Sequence, residues 1–431
     1  MKLVTHDRSI IERRLAGLHG PGGLSSPSGR PSRALPAALA AVVALALAAP
    51  AGASLQGKLS RALASSGISW SQTGAFVANL STGRAVYKRG ASSSLRPASN
   101  QKLLVALTAL DDLGPSARIP TRVLGLGEQQ GNVWRGSLFL KGYGDPTLSG
   151  RDLVRLAGRV RDAGIRRITG AILGDETAFD RKRTAPGWKP SFYKLECPPL
   201  SALIVDRGVV GEKTATYPAL AAAKEFRAAL RSAGIAVGGK ARVGVAPGDA
   251  PILAGTRSGK LRKLVRRMNK QSDNYFAEML LKYLGRAAGD PRGTTAGGAK
   301  AVRSELAERG LPLAGLRVAD GSGLSLKDRV AAVLLGALLR SAWRDPALRE
   351  PFYASLPRAG IDGTLEDRME SGPARDRVRA KTGTTNNSSA LSGYVGARYV
   401  FAILQNGNPV PWTAARRSQD RFAQILARRS L

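Results

Sequence analysis

From Pro97 to Leu107 the chain reads PASNQKLLVAL, a helix from Ala98 onward in which positions 103–107 are all apolar. A helix with no polar stripe has no face to give to water, so other elements must pack around it on all sides. Lys102 nevertheless stands in its first turn. A cation there meets both a dry environment and the positive end of the helix dipole, and both effects oppose its charge. Ser99, three residues earlier, shares its helix face. Two readings follow. Ser99 is an N-cap, although a capping box would carry Glu or Gln where Lys102 stands; or serine and lysine form a chemical pair. Spacing alone does not decide, since Ser191 and Lys194 repeat it.

Residues 1–53 read as a leader. Arginines at 8, 13, 14, 30 and 33 precede an apolar run from Leu35 to Ala49, followed by Ala51-Gly52-Ala53, a small-x-small cleavage pattern. Prolines 36 and 50 favour a cleaved signal peptide over a spanning anchor. The expected destination is the periplasm or extracytoplasmic cell wall. This leader holds the only two histidines, His6 and His19. The mature chain therefore has no Ser-His-Asp triad and, with Cys197 as its single cysteine, neither a His/Cys zinc site nor an internal disulfide. No cofactor and no metal is expected. If a serine is activated here, lysine or a carboxylate is its base.

The formal net charge is +35. The leader's six cations (Lys2, Arg8, Arg13, Arg14, Arg30, Arg33) outnumber Asp7 and Glu12, which leaves about +31 on the mature chain. Zinc-finger, basic-zipper and aromatic-studded basic patterns are absent from the sequence, so a specific nucleic-acid partner is not expected. The charge suits an anionic cell-wall polymer or membrane surface, or is simply a solvated arginine-rich exterior.

Helical periodicity at 55–64 and a strand-turn-strand pattern at 74–87 place the Ser99 helix directly after a sheet. From 114 to 251 short strands alternate with helices at 152–163 and 217–233, the texture of an inserted α/β domain. Leu261, Leu264, Val265 and Met268 then recur at helical spacing, and strands LSGYVGA and VFAILQNG precede a closing helix from Trp412 to Leu426. The expected fold is α+β, divided as leader 1–53, first domain 54–113, insert 114–251, and first domain resumed at 252–431.

Two further motifs follow in order. Ser272-Asp273-Asn274 precedes a helix that Ser272 or Asp273 could merely cap. Lys381-Thr382-Gly383 lies on a strand, with glycine where another backbone could approach closely. SxxK, SDN and KTG in this order resemble the motif set of penicillin-binding proteins and serine β-lactamases. The wider set PASNQK, GDPTLS, PPLSAL, NKQSDN, DGSGLS, GTLEDRM and KTGT…SALSGYV resembles the D-alanyl-D-alanine carboxypeptidase/endopeptidase family, peptidase family S13, the low-molecular-mass class C penicillin-binding proteins.

That resemblance implies a serine β-lactamase/transpeptidase-like domain, an antiparallel sheet flanked by helices, interrupted between SxxK and SDN. Ser99 and Ser272 are 173 residues apart, short for the family, with the deficit just after Asp206. It further implies that Ser99 is the nucleophile, Lys102 its base and Ser272 a proton relay. Asn274 would hold the substrate amide, and Lys381 with Thr382 its terminal carboxylate. Gly383 and Thr384 complete the binding strand, the Thr384 N–H joining that of Ser99 as oxyanion donors. Peptidoglycan stem peptides are the implied substrates and β-lactams the covalent inhibitors. Lys102 serves as a base only if its pKa falls toward neutrality, which burial, the helix N-terminus and Lys381 would promote. No E-x-x-x-N pattern lies between Ser272 and Lys381, which argues against efficient β-lactam hydrolysis. Where family members carry an acid for the stem-peptide amine, GWKPSFYKLE offers Lys189 and Ser191, with Glu196 as a substitute. The alternatives are a cationic wall- or polyanion-binding protein that keeps the fold without turnover, or a β-lactam hydrolase.

Overall fold

The computed structural model describes residues 54–429, so the expected leader lies outside the described residues. Ser54 caps α1 (Leu55–Ala64), its hydroxyl accepting the Gly57 N–H at 3.1 Å. The hairpin β1 (Thr73–Asn79) and β2 (Ala85–Arg89) follows, then a 3₁₀ turn at Ala98–Asn100 and α2 (Gln101–Asp112). Next come β3 (Pro120–Gln130), β4 (Val133–Gly142), α3 (Gly150–Asp162), β5 (Arg167–Ile168) and β6 (Ile172–Asp175). The short hairpin β7 (Val209–Val210) and β8 (Lys213–Thr214) leads to α4 (Pro218–Ser232), β9 (Ala236–Val237), β10 (Ala241–Val243) and β11 (Ile252–Arg257). Helices α5 (Leu261–Lys270), α6 (Asn274–Ala287), α7 (Thr295–Glu308), α8 (Ala332–Arg344) and α9 (Pro346–Tyr353) precede β12 (Val378–Thr385), β13 (Ser388–Val395), β14 (Tyr399–Asn406) and α10 (Trp412–Arg429).

Five strands form an antiparallel sheet in the order β12-β13-β14-β1-β2, so the N-terminal hairpin docks on the last strand of the chain. Strand alternation sorts β1 between two cores. Ala75 and Val77 point toward Leu59, Leu63, Phe422 and Leu426 of α1 and α10, and Phe76 and Ala78 toward the side where α8 lies. All eight residues of β13 and of β14 are buried. This sheet thus has both faces covered, where many antiparallel sheets leave one face wet.

Helix α2 sits at the centre of the larger core. Residues 101–110 are all buried, packed against α5, α6, α7, α8 and α9. The all-round apolar pattern is satisfied by neighbours on every side.

A second, mixed sheet runs β10-β6-β4-β3-β11, with β5 pairing β4 off this path and β9 pairing β5. Its antiparallel pairs are β3 with β4 and β3 with β11, and β4, β6 and β10 are parallel. Leu153, Leu156 and Val160 of α3 and Phe226 and Leu230 of α4 bury one of its faces. Strand β11 returns beside β3 and ends at Arg257, so this sheet runs past residue 251, where the alternating texture of the sequence stops. Between Asp206 and α4 the chain makes only a 3₁₀ turn and the β7–β8 hairpin.

Candidate active site

Ser99 is not a cap. It lies inside the 3₁₀ turn, and Asn100, which precedes α2, makes no side-chain cap hydrogen bond. Ala98 holds φ at 47°, a left-handed conformation that costs a residue with a Cβ about 1–2 kcal/mol. Cross-links hold the turn in place. Asn100 Nδ2 donates to the Lys381 carbonyl at 3.2 Å, the Arg96 N–H to Asn406 Oδ1 at 2.8 Å, and Ser388 Oγ to the Arg96 carbonyl at 2.7 Å. The nucleophile's backbone is thereby tied to β12, β13 and β14. Two glycines permit the approach: a Cβ on Gly383 would stand 2.9 Å from the Pro97 carbonyl oxygen, and one on Gly323 would stand 1.9 Å from that of Ala98.

Lys102 is fully buried, yet its Nζ has three partners: Ser99 Oγ at 2.9 Å, Asn274 Oδ1 at 2.8 Å and the Ser322 carbonyl at 2.7 Å. The last two are acceptors only. A neutral amine has two N–H bonds and one lone pair. Donating both protons to Asn274 and Ser322 leaves the lone pair facing the Ser99 hydroxyl, the geometry required of a base.

Burial lowers the Lys102 pKa to about 8, against the opposing pull of Asp320, Glu278 and Asp273. Lys381 is also fully buried, its Nζ donating to the Thr382 carbonyl at 2.9 Å. Burial, and then the charge of Lys102, push Lys381 well below the ordinary lysine value.

The Ser322 carbonyl is aimed by buried acids that motif reading passed over. Glu278 accepts the Gly321 and Ser322 N–H groups at 3.1 and 2.8 Å, and Asp320 accepts those of Gly323 and Ser325, both at 2.7 Å, with Trp188 Nε1 at 2.8 Å. Burial and the neighbouring Asp320 raise the Glu278 pKa. The only sequence signal was DGSGLS itself, which named the loop and not its role.

Asp273 caps α6, accepting the Phe276 N–H at 3.3 Å, and pairs with Arg207 at 2.8 Å. Ser272, at φ 55°, precedes it and opens into the cleft. Asn274 is committed at both ends of its amide: Oδ1 to Lys102 and Nδ2 to the Glu196 carbonyl at 3.1 Å. Nδ2 keeps its second N–H for a substrate carbonyl.

The cleft measures about 510 Å³ and is lined by Ser99, Ser272, Thr382 and Thr384 with Thr364, Asp367, Arg368 and Arg416. Lys102 and Lys381 stand buried behind it, and Gly383 packs on the Ser99 turn. Thr382 Oγ1 bonds Thr364 Oγ1 at 2.7 Å, which gives GTLEDRM a place beside KTG. A second cavity of about 290 Å³ adjoins at Thr384, lined by Lys189, Phe192, Glu196 and Trp412. Among the described residues one carboxylate trio, Asp111, Asp112 and Glu305, lies close enough to share a ligand, and Arg309 already donates into it.

The D-Ala-D-Ala carboxypeptidase 3 (S13) family matches residues 55–221 and 212–429. A D-alanyl-D-alanine carboxypeptidase of Actinomadura sp. (strain R39) is 31% identical over 82% of this chain and 81% of its own length. Carboxypeptidase DacB of Mycolicibacterium smegmatis is 31% identical over 81% and 79% respectively. In three dimensions the chain is similar to penicillin binding protein 4 (dacB) of Haemophilus influenzae, with a TM-score of 0.74 at 23% identity, covering 86% of this chain and 99% of the other.

Proposed function

We propose, from the premise that this chain belongs to the D-Ala-D-Ala carboxypeptidase 3 (S13) family and is a serine D,D-peptidase, that Ser99 carries the acyl group and Lys102 is its base. The observation that carries this reading is the Lys102 amine, buried among two obligate acceptors and the Ser99 hydroxyl. As Ser99 Oγ bonds to the carbonyl carbon of a terminal D-Ala-D-Ala, its proton passes to the neutral amine. The N–H groups of Ser99 and Thr384 receive the oxyanion, an interaction whose loss costs about 3 kcal/mol of barrier per donor. When the tetrahedral centre collapses, the C–N bond breaks and the leaving amine takes a proton through Ser272. Water then adds to the acyl carbon and restores the serine.

The substrates are peptidoglycan stem peptides, cleaved as a carboxypeptidase, as a cross-link endopeptidase, or both. The protein acts outside the cytoplasm, after removal of a leader ending near Ala53. Its excess of cations holds it near an anionic wall polymer or membrane surface. A β-lactam enters by the same attack and stays, because the sequence offers no E-x-x-x-N glutamate to drive deacylation.

Incubation with labelled benzylpenicillin followed by intact-mass measurement tests the reading. One adduct on the wild type, absent from Ser99→Ala, is the expected result. A folded wild type that takes no adduct would mark a binding protein without turnover, and rapid release of opened drug would mark a β-lactam hydrolase.

A further inference from the structure

The cleft needs a positive charge to hold a substrate that ends in a carboxylate, and the lysine of KTG does not face it. Lys381 is fully buried and its Nζ is turned onto the Thr382 carbonyl. Two other cations line the cleft. Arg368 is already paired, its Nε and NH2 both donating to Asp420, at 3.0 and 2.6 Å. Arg416 is exposed, makes no ion pair among the described residues, and donates one hydrogen bond, to Thr384 Oγ1 at 3.3 Å. Asp367 also lines the cleft and opposes an anion there, so the preferred position is beside Arg416 and Thr384.

The placement of Arg416 is built into helix α10. Trp412, its first residue, donates from Nε1 to the Thr385 carbonyl at 2.9 Å and so pins the helix end to β12. Four residues on, one helical turn later, the same face presents Arg416 over Thr384. A guanidinium offers a planar fork of donors that fits a carboxylate with two bonds, which a point-charged ammonium does not.

We propose that Arg416 is the specificity-determining side chain that recognises the substrate's terminal carboxylate, with the Thr382 and Thr384 hydroxyls completing its site. This rests on the D,D-peptidase reading above. The ligands it selects are acyl donors with a free carboxylate on the leaving side of the scissile bond.

Acylation rates of the full protein by benzylpenicillin and by its methyl ester provide the test, since the ester keeps the reactive ring and loses the charge. The wild-type preference for the acid should fall roughly tenfold or more in Arg416→Gln, as expected for a lost charged hydrogen bond. Arg416→Lys should recover part of it, and Arg417→Gln, on an exposed neighbour, should leave it unmoved. An unchanged preference in Arg416→Gln, or acid and ester rates falling together, would overturn the inference while the peptidase reading stands. A wild type acylated by neither compound would overturn both.

Discussion

Three oxygens surround the Lys102 Nζ, and only Ser99 Oγ carries a proton that can travel. The pH dependence follows. The base is the neutral amine and its pKa lies near 8, so acylation by benzylpenicillin should climb with pH through about that value in stopped-flow measurements. A rate already flat at pH 6 would contradict the assignment. Stability should move in the same direction. The folded amine loses its proton near 8 while the unfolded chain holds one up to the ordinary lysine value of 10.5, so between those limits raising the pH favours folding. Chemical denaturation at pH 8 and pH 10 would show that sign once other groups are accounted for by Lys102→Met. Lys102→Ala should slow acylation by roughly 10²–10⁴, the usual worth of a positioned base.

At the scale of elements, the site is a meeting of α2, α6, the 320–325 loop and β12, and glycines set how closely they meet. Gly383→Ala would place a methyl 2.9 Å from the Pro97 carbonyl oxygen and 3.1 Å from the Ala98 Cβ, pushing β12 away from the nucleophile. A misplacement of that order costs about a hundredfold in rate, and the acylation rate constant would reveal it while far-UV circular dichroism stays unchanged. Gly323→Ala is harsher, since φ there is +84° and the new Cβ would fall 1.9 Å from the Ala98 carbonyl oxygen. A loss of about 1–3 kcal/mol in urea unfolding is expected, and a variant as stable as wild type would contradict the packing. Much of this was legible beforehand. The run after Ala98 allowed only a buried helix, and SxxK, SDN and KTG marked the segments that converge. The left-handed Ala98 was not legible, because alanine has no preference for that backbone and only the surrounding contacts hold it there. Nor was the Ser322 carbonyl, since every residue has one and its aim depends on Glu278 and Asp320 folding in from elsewhere. Arg416, one arginine among several on the exposed face of α10, gave no sign at all.

Across the whole molecule the charge dominates, 66 lysines and arginines against 31 carboxylates. If that field holds the protein to an anionic wall, binding to isolated wall material should weaken steeply as salt shortens the screening length from ~10 Å at about 0.1 M to ~3 Å at about 1 M. Co-sedimentation that ignores salt would refute the electrostatic account. The order of segments along the chain has its own effect. Strand β1 pairs with β14, and the Ser99 turn is tied to Lys381, Ser388 and Asn406. Every one of those ties lies within the last 51 residues of the sequence. A chain cut short before Lys381 leaves the Ser99 turn without its backing strands, and such a truncation should take no benzylpenicillin adduct.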